Sequence, residues 1–346
     1  MSTDKITPDT PRSYNISLYL QPTGTAQIEA RINVTQKPEY KEIAQLANLA
    51  LYHMASSPKA VATALSIILN VFLHDNDASK AFASLNGEQA TPTRENLINM
   101  LTTDPPDFVI CDIEDNSKGS IRWGLVKRGK TELTSRDEVF ISKELCDAIM
   151  VKTNLADPQV RRLATFHRAI LLFVISYEMM HALVKKTFSP LVYTSPQATL
   201  GITDNGGVGA RESGFYFEHR YFQFELVAEL PKAGLVKGQR LWKISNLLAD
   251  GNQIYELNDA AVLELIQSFA TPRKYELNIT EAPIAPPVQA EDTVRWRSCR
   301  CPDVAILQPI VAAADSTPAV ASQIVGEPLK GLGIRVPREG NEYDRY

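Results

Sequence analysis

The chain has 346 residues and a mass of 38.4 kDa, which suits one large domain or two ordinary ones. Hydrophobic residues make up 44% and charged residues 22%, and this composition excludes wholesale disorder and collagen-like repeats. The formal net charge is −4 and no long run of lysine or arginine occurs. We therefore expect no nucleic-acid partner.

The cysteines and the apolar runs bear on the cellular compartment. Four cysteines are too few for a disulfide framework in a chain of this length, and no Cys-x-x-Cys motif occurs. Residues 1–12 are polar and no apolar stretch follows them, so the sequence predicts no secretory signal. The longest apolar run, residues 169–176, is much shorter than the roughly 20 residues of a membrane span. We expect a cytoplasmic protein with no membrane partner.

The N-terminal part of the chain predicts a hairpin followed by helices. Apolar and polar residues alternate over residues 13–35, with an interruption at 22–24, which is typical of two strands joined by a turn. Apolar residues then recur with helical spacing from residue 39 to about 75. Pro58 divides this region into two helices, because proline is favoured in a first helical turn. A further short helix is predicted over 93–102.

The middle of the chain predicts short strands and then long helices. Three β-like runs, separated by polar turns, cover residues 108–113, 120–127 and 138–141. Helices are predicted over 143–150 and over 157–188. The centre of the second helix is almost wholly apolar, which predicts burial on most of its sides.

Two more helices are predicted after a loop over residues 189–210. One begins near Ala210, and the other is an amphipathic helix over 257–269. The helix from Ala210 is predicted to carry five apolar or aromatic side chains, namely Phe215, Phe217, Tyr221, Phe222 and Leu226.

These elements predict an α+β fold in three segments. Residues 1–105 form an N-terminal hairpin and helical region, and residues 106–280 form the main domain. Residues 281–346 hold 8 of the 21 prolines and show few helical stripes. This composition is typical of an extended tail that wraps the body or is partly disordered.

The strongest chemical signal lies within the long apolar helix, in the segment Tyr177-Glu178-Met179-Met180-His181. Residues four apart lie on the same helical face, so the side chains at 177 and 181 are predicted to reach one point. A glutamate and a histidine inside an apolar helix could instead form a hydrogen-bonded core pair.

This segment resembles the His-Glu-x-x-His helix of zinc metallopeptidases of the zincin type. The resemblance covers roughly residues 106–230 and implies a zincin-like domain with zinc as its cofactor. His181 matches the second zinc ligand, and Glu178 matches the general base that takes a proton from metal-bound water. Tyr177 stands where the family has its first histidine ligand, and a neutral phenol binds zinc less well than an imidazole.

The resemblance also implies a third ligand downstream. Glu212, in a Glu-Ser-Gly segment similar to the one that supplies this ligand in gluzincin-like enzymes, is the first choice, and Glu218 is the alternative. The gap of 31 residues from His181 to Glu212 is longer than in compact gluzincins. Tyr216 and Tyr221 could donate a hydrogen bond to an oxyanion, as downstream residues do in zincins, although such aromatic residues are more often core.

Three functions follow as expectations. The first is a zinc-dependent hydrolase of peptides or small molecules, which Tyr177 weakens or inactivates. The second is a non-catalytic zincin scaffold that binds a peptide, a small molecule or a protein partner in the same cleft. The third is metal-free acid–base chemistry by Glu178 in an apolar pocket. His167 lies about 21 Å along the helix from His181 and is predicted to be a packing or surface residue, whereas His219 could support a metal ligand.

Overall fold

The computed structural model describes residues 14–23, 30–114, 121–126, 138–151, 157–188, 213–231, 236–251, 254–271 and 293–297. Residues 1–305 form one compact unit. Residues 306–346 lie outside the described part of the chain.

Eight α-helices occur among the described residues. They are α1 (Lys41–Ser56), α2 (Pro58–His74), α3 (Asn76–Asn86), α4 (Arg94–Thr102), α5 (Lys143–Met150), α6 (Pro158–Phe188), α7 (Ser213–Phe217) and α8 (Asp259–Ala270). A π-helical turn, Glu218–Phe222, continues α7, and 3₁₀ turns cover Pro38–Tyr40 and Arg240–Lys243.

Several helices begin at a side chain that accepts a hydrogen bond from a free backbone amide of the first turn. The Ser57 hydroxyl accepts from the Ala60 amide at 3.3 Å, and Pro58 then occupies the first helical position of α2. Asp75 caps α3 in the same way, and Asn258 caps α8. These caps explain why the chain changes direction where it does.

Nine strands in the described residues form two sheets. Sheet A has the order β2-β1-β3-β5-β4 and sheet B the order β8-β7-β6-β9. Sheet A contains β1 (Leu18–Leu20), β2 (Ile32–Asn33), β3 (Asp107–Cys111), β4 (Gly124–Leu125) and β5 (Glu138–Ser142). Sheet B contains β6 (Glu225–Pro231), β7 (Asn246–Asp250), β8 (Ile254–Glu256) and β9 (Thr293–Arg297).

The central strands of sheet A are parallel and its edge strands are antiparallel. β3 pairs in parallel with β1 and with β5, whereas β2 and β4 run antiparallel to their neighbours at the two edges. Side chains alternate between the faces of a strand, so Phe108 and Ile110 join the main core while Val109 and Cys111 join a small second cluster with Phe140. One face of sheet A therefore packs on the helices.

Helix α6 forms the centre of the main core. It packs against α1, α5, α7 and α8, and against strands β4 and β5. α6 is long and apolar enough to cross a membrane by length and composition, and 83% of its most apolar window is buried inside the protein. The pair of segments 38–56 and 58–74, bent by 80° at its break, passes the same test only if it is counted as one span. The burial of α6 is that of a core helix.

The α+β class is confirmed, and most predicted elements are present. The hairpin pairs β1 with β2, and α1 and α2 meet at Pro58. The predicted boundary at residue 105 falls between α4 and β3, and the elements on both sides of it contribute to one core. The helix α3 was not predicted, although the Asp75 cap and a positive φ of 98° at Gly87 mark its ends.

The prediction of a helix from Ala210 through Leu226 is wrong at its C-terminal end. The helical turns end at Phe222, and Leu226 lies in strand β6. Gln223 adopts φ 69°, a left-handed conformation that terminates a helix. Within the predicted tail, residues 293–297 form β9, which pairs with β6.

Candidate functional site

Helix α6 carries the three motif residues in its C-terminal half. Tyr177, Glu178 and His181 are 3%, 8% and 4% exposed. The helix is buried there because apolar residues occupy all of its faces. Buried polar side chains require partners, so their immediate neighbours decide what this site can do.

Tyr177 and His181 lie one helical turn apart on the same face of α6, as the spacing of the motif predicts. Their ring centroids are 5.1 Å apart and the ring planes are inclined at 67°, an edge-to-face contact. The phenol ring therefore occupies the position beside His181 that a first histidine ligand would fill.

The start of α7 covers both rings. The Ser213 hydroxyl oxygen lies 2.9 Å from Nδ1 of His181, close enough for a hydrogen bond. The next residue, Gly214, lies directly on the Tyr177 ring, because a Cβ atom at position 214 would stand 2.7 to 2.8 Å from three ring atoms. Such an approach is too close for any residue with a Cβ atom. Glycine at 214 is therefore required for α7 to begin at this place.

A second close approach brings sheet A to Glu178. A Cβ atom on Gly124 of β4 would stand 2.6 Å from Cγ1 of Val174 and 2.8 Å from Cγ of Glu178. The absence of a side chain at 124 thus lets β4 lie against α6. In the described part of sheet A, β4 is an edge strand, so Glu178 lies beside an edge of the sheet.

Of the residues predicted to complete the site downstream of His181, the structure describes Tyr216 and Glu218 but not Glu212. Glu212 lies outside the described residues, so its role as the third ligand stays a prediction. Glu218 is fully buried on the π-helical turn, and Tyr216 lies on α7. Among the described residues, no three side chains of His, Cys, Asp or Glu lie close enough together to hold a metal ion.

Tyr221 belongs to a buried polar cluster that was not predicted. Its hydroxyl lies 2.6 Å from Nε2 of His53 and 3.1 Å from the Ser57 hydroxyl, and all three residues are at most 1% exposed. Burial raises the pKa of Tyr221 to about 12. The Tyr221 hydroxyl is therefore used inside the core, where it joins the π-helical turn to the junction of α1 and α2. This placement does not favour the predicted oxyanion role.

Two further histidines, His167 and His219, pack against aromatic rings. Nε2 of His167 is 3.0 Å from the Leu241 carbonyl oxygen, and its ring meets Trp242 edge-on. The ring centroids of His219 and Phe215 are 4.0 Å apart. Of the two positions expected for His167, the core and the surface, the structure has the core.

Acidification is expected to destabilise the protein through His53. Burial lowers the pKa of His53 from 6.5 to about 4, so the folded state keeps this imidazole neutral while the unfolded state is protonated. The unfolded state therefore binds more protons between these two values, and stability is lost as the pH falls from about 6.5 to 4. The full loss amounts to about 3 kcal/mol. Urea denaturation at a series of pH values measures it.

A His53→Gln variant is the control for this pH dependence. The variant should be less stable at pH 7, and its stability should change less than that of the parent between pH 6.5 and 4. Burial also lowers the pKa of His167, so a smaller dependence should persist in the variant. Identical pH dependence in parent and variant would show that His53 is not the titrating group.

Comparisons with known proteins returned no match, whether with protein-family models, with curated proteins or with solved structures.

Proposed function

We propose that this protein is a zincin-type hydrolase of peptide-like amides whose metal site is weakened by Tyr177. The observation that carries the proposal is the hydrogen bond between Ser213 and Nδ1 of His181. Ser213 directly follows Glu212, the proposed third ligand, in the sequence. Ser213, which lies in the segment that resembles the third-ligand segment of gluzincins, therefore contacts the face of α6 that carries the motif.

His181 suits a zinc ligand in this arrangement. Histidines that bind metals generally have their second ring nitrogen hydrogen-bonded, which fixes the orientation of the ring. With Nδ1 paired to Ser213, Nε2 is the nitrogen that would bind the metal. Tyr177 suits zinc poorly, because a phenol oxygen binds zinc less readily than an imidazole nitrogen does. When bound, zinc would polarise the substrate carbonyl and acidify a bound water.

Glu178 is the proposed general base. The resemblance implies that its carboxylate takes a proton from a water held beside position 177 and His181. Apolar neighbours such as Val174 limit the access of bulk water to this face. Removing the carboxylate while keeping its shape should therefore remove the chemistry without disturbing the fold.

Strand β4 offers a way to hold an extended peptide. An edge strand presents backbone amide and carbonyl groups that can pair with another chain. Because Gly124 packs on Glu178, a peptide paired along β4 would pass close to that carboxylate. This geometry favours a peptide substrate over a small molecule.

A second candidate function is a scaffold that binds a peptide or protein partner without catalysis. Tyr177 favours it, because the phenol ring is 3% exposed and is packed between His181 and Gly214. The position of a metal ligand is thus filled by an aromatic ring that fits its surroundings. Metal-free acid–base chemistry by Glu178 is the third alternative.

Glu178→Gln separates these functions. A zinc hydrolase should contain zinc by elemental analysis, cleave a quenched fluorescent peptide library, and lose about 10²-fold or more of that activity in the Glu178→Gln variant. A scaffold should bind peptides equally well with either residue and cleave none. Activity that survives a chelator but not Glu178→Gln would identify metal-free catalysis and refute the zinc mechanism.

A further inference from the structure

Two tryptophans join the two sheets near the candidate site. The rings of Trp123 and Trp296 have centroids 4.4 Å apart with planes inclined at 37°, and the two residues are 1% and 4% exposed. Trp123 directly precedes β4 in sheet A, whereas Trp296 lies in β9 of sheet B. The contact therefore links the C-terminal strand to the edge strand that lies beside Glu178.

Strand β9 is firmly held in sheet B. It runs antiparallel to β6, with Trp296 opposite Ala228. The adjacent Arg295 forms an ion pair with Glu229 at 3.1 Å, and both side chains are largely buried. These contacts hold the backbone at Trp296 in place independently of sheet A.

Trp123, in contrast, depends on packing. Its carbonyl oxygen accepts a hydrogen bond from the Ser142 amide at 2.9 Å, which anchors the backbone to the end of β5. Its indole Nε1 is buried and has no hydrogen-bond partner in the described part of the chain. The aromatic contact with Trp296 is therefore a main determinant of where this ring lies.

Gly124 connects Trp123 to Glu178. Gly124 follows Trp123 and lies against Cγ of Glu178. A displacement of the Trp123 ring would move β4, because β4 has only two residues and, among the described residues, pairs with a single neighbour in sheet A. An edge strand this short has few hydrogen bonds of its own to resist such a movement.

We propose that Trp296 is a positioning residue, which acts through Trp123 to hold β4 against α6 at Glu178. Residues 293–297 are then a part of the candidate site although they lie in the C-terminal segment. Any effect of Trp296 on hydrolysis rests on the proposed function, whereas its effect on the position of β4 does not. The two can therefore fail separately.

The experiment compares Trp296→Ala and Trp296→Phe with the parent chain, without added metal. The chain has three tryptophans, and the third, Trp242, contacts His167. An exciton couplet in the circular dichroism of the parent should thus come from the Trp123–Trp296 pair. It should disappear in both variants and persist in a Trp242→Phe control.

Amide hydrogen exchange then measures the position of β4. In Trp296→Ala, exchange over residues 121–126 should rise by roughly tenfold or more, while exchange in β3 stays as in the parent. Trp296→Phe keeps an aromatic ring against Trp123 and should restore most of the protection. A zinc-free, inactive parent would defeat the proposed function but would leave this measurement intact.

Two outcomes would overturn the positioning role. One is exchange over 121–126 that is unchanged in Trp296→Ala. The other is an equal loss of protection in β3 and β4, which would assign Trp296 to general stability. In the supporting outcome, Trp296→Ala should also slow any hydrolysis, and Trp296→Phe should recover it.

Discussion

Replacing Tyr177 by histidine is expected to raise the affinity for zinc by about 100-fold. Zinc sites with four ligands bind with roughly 10–16 kcal/mol in total, so one added imidazole contributes about 3 kcal/mol, or about two orders of magnitude. The ring contact between residues 177 and 181 shows that both positions reach one point on α6. An imidazole is smaller than a phenol and fits the same space beside Gly214.

Competition with a chromophoric chelator measures this gain. Tyr177→Phe is the matched control, since it keeps an aromatic ring but supplies no ligand atom, and its zinc affinity should not exceed that of the parent. Adding Ser213→Ala to Tyr177→His should reduce the affinity about 10- to 100-fold, because the orientation of the His181 ring is then less restricted. An unchanged affinity in Tyr177→His would rule out a zinc site at this helix face.

Removing Glu138 is expected to lower the free energy of unfolding by about 3–5 kcal/mol. Glu138 forms an ion pair with Arg31, and their side chains are 3% and 5% exposed. The Arg31 guanidinium also lies 5.6 Å from the centroid of the Phe140 ring, so it covers the small second cluster on sheet A. In Glu138→Ala, this guanidinium would remain buried with no carboxylate beside it.

Chemical denaturation of matched variants tests the cause of this loss. Replacing both partners, Arg31→Met with Glu138→Leu, should recover most of the stability because no buried charge remains. Asp147→Ala removes an exposed ion pair, in which the side chains of Asp147 and Lys143 are 46% and 35% exposed. This variant should lower the free energy of unfolding by less than about 1 kcal/mol. If Glu138→Ala and Asp147→Ala lower the free energy of unfolding by the same amount, burial does not govern the strength of the Arg31–Glu138 ion pair.

Local signals in the sequence located most of the helices and the strands of sheet A. The period of apolar residues and the proline at 58 located α1 and α2. Alternation located β3 and β5, and the long apolar run located α6. The same rules missed β6, because the aromatic residues before it have helical spacing and the left-handed Gln223 has no side-chain signature.

In the candidate site, too, the sequence predicted some contacts and the tertiary structure decided the others. The spacing of Tyr177 and His181 determined that the two rings meet, because both lie on one helix. The roles of Ser213, Gly214 and Gly124 depend on how other elements approach that helix. A glycine in a sequence indicates freedom of the backbone and does not indicate which ring or carboxylate will lie against it.

By itself, the sequence determined the α+β class, the buried helix α6 and the pairing of positions 177 and 181, since each follows from contacts between residues close in the chain. Only the tertiary structure decided that β9 joins sheet B, that Trp296 meets Trp123, and that Tyr221 is paired with His53 and Ser57. These contacts join residues more than 60 positions apart, and the side-chain contacts among them join residues more than 160 positions apart. Their partners are chosen by the packing of whole elements, which no local pattern of residues encodes.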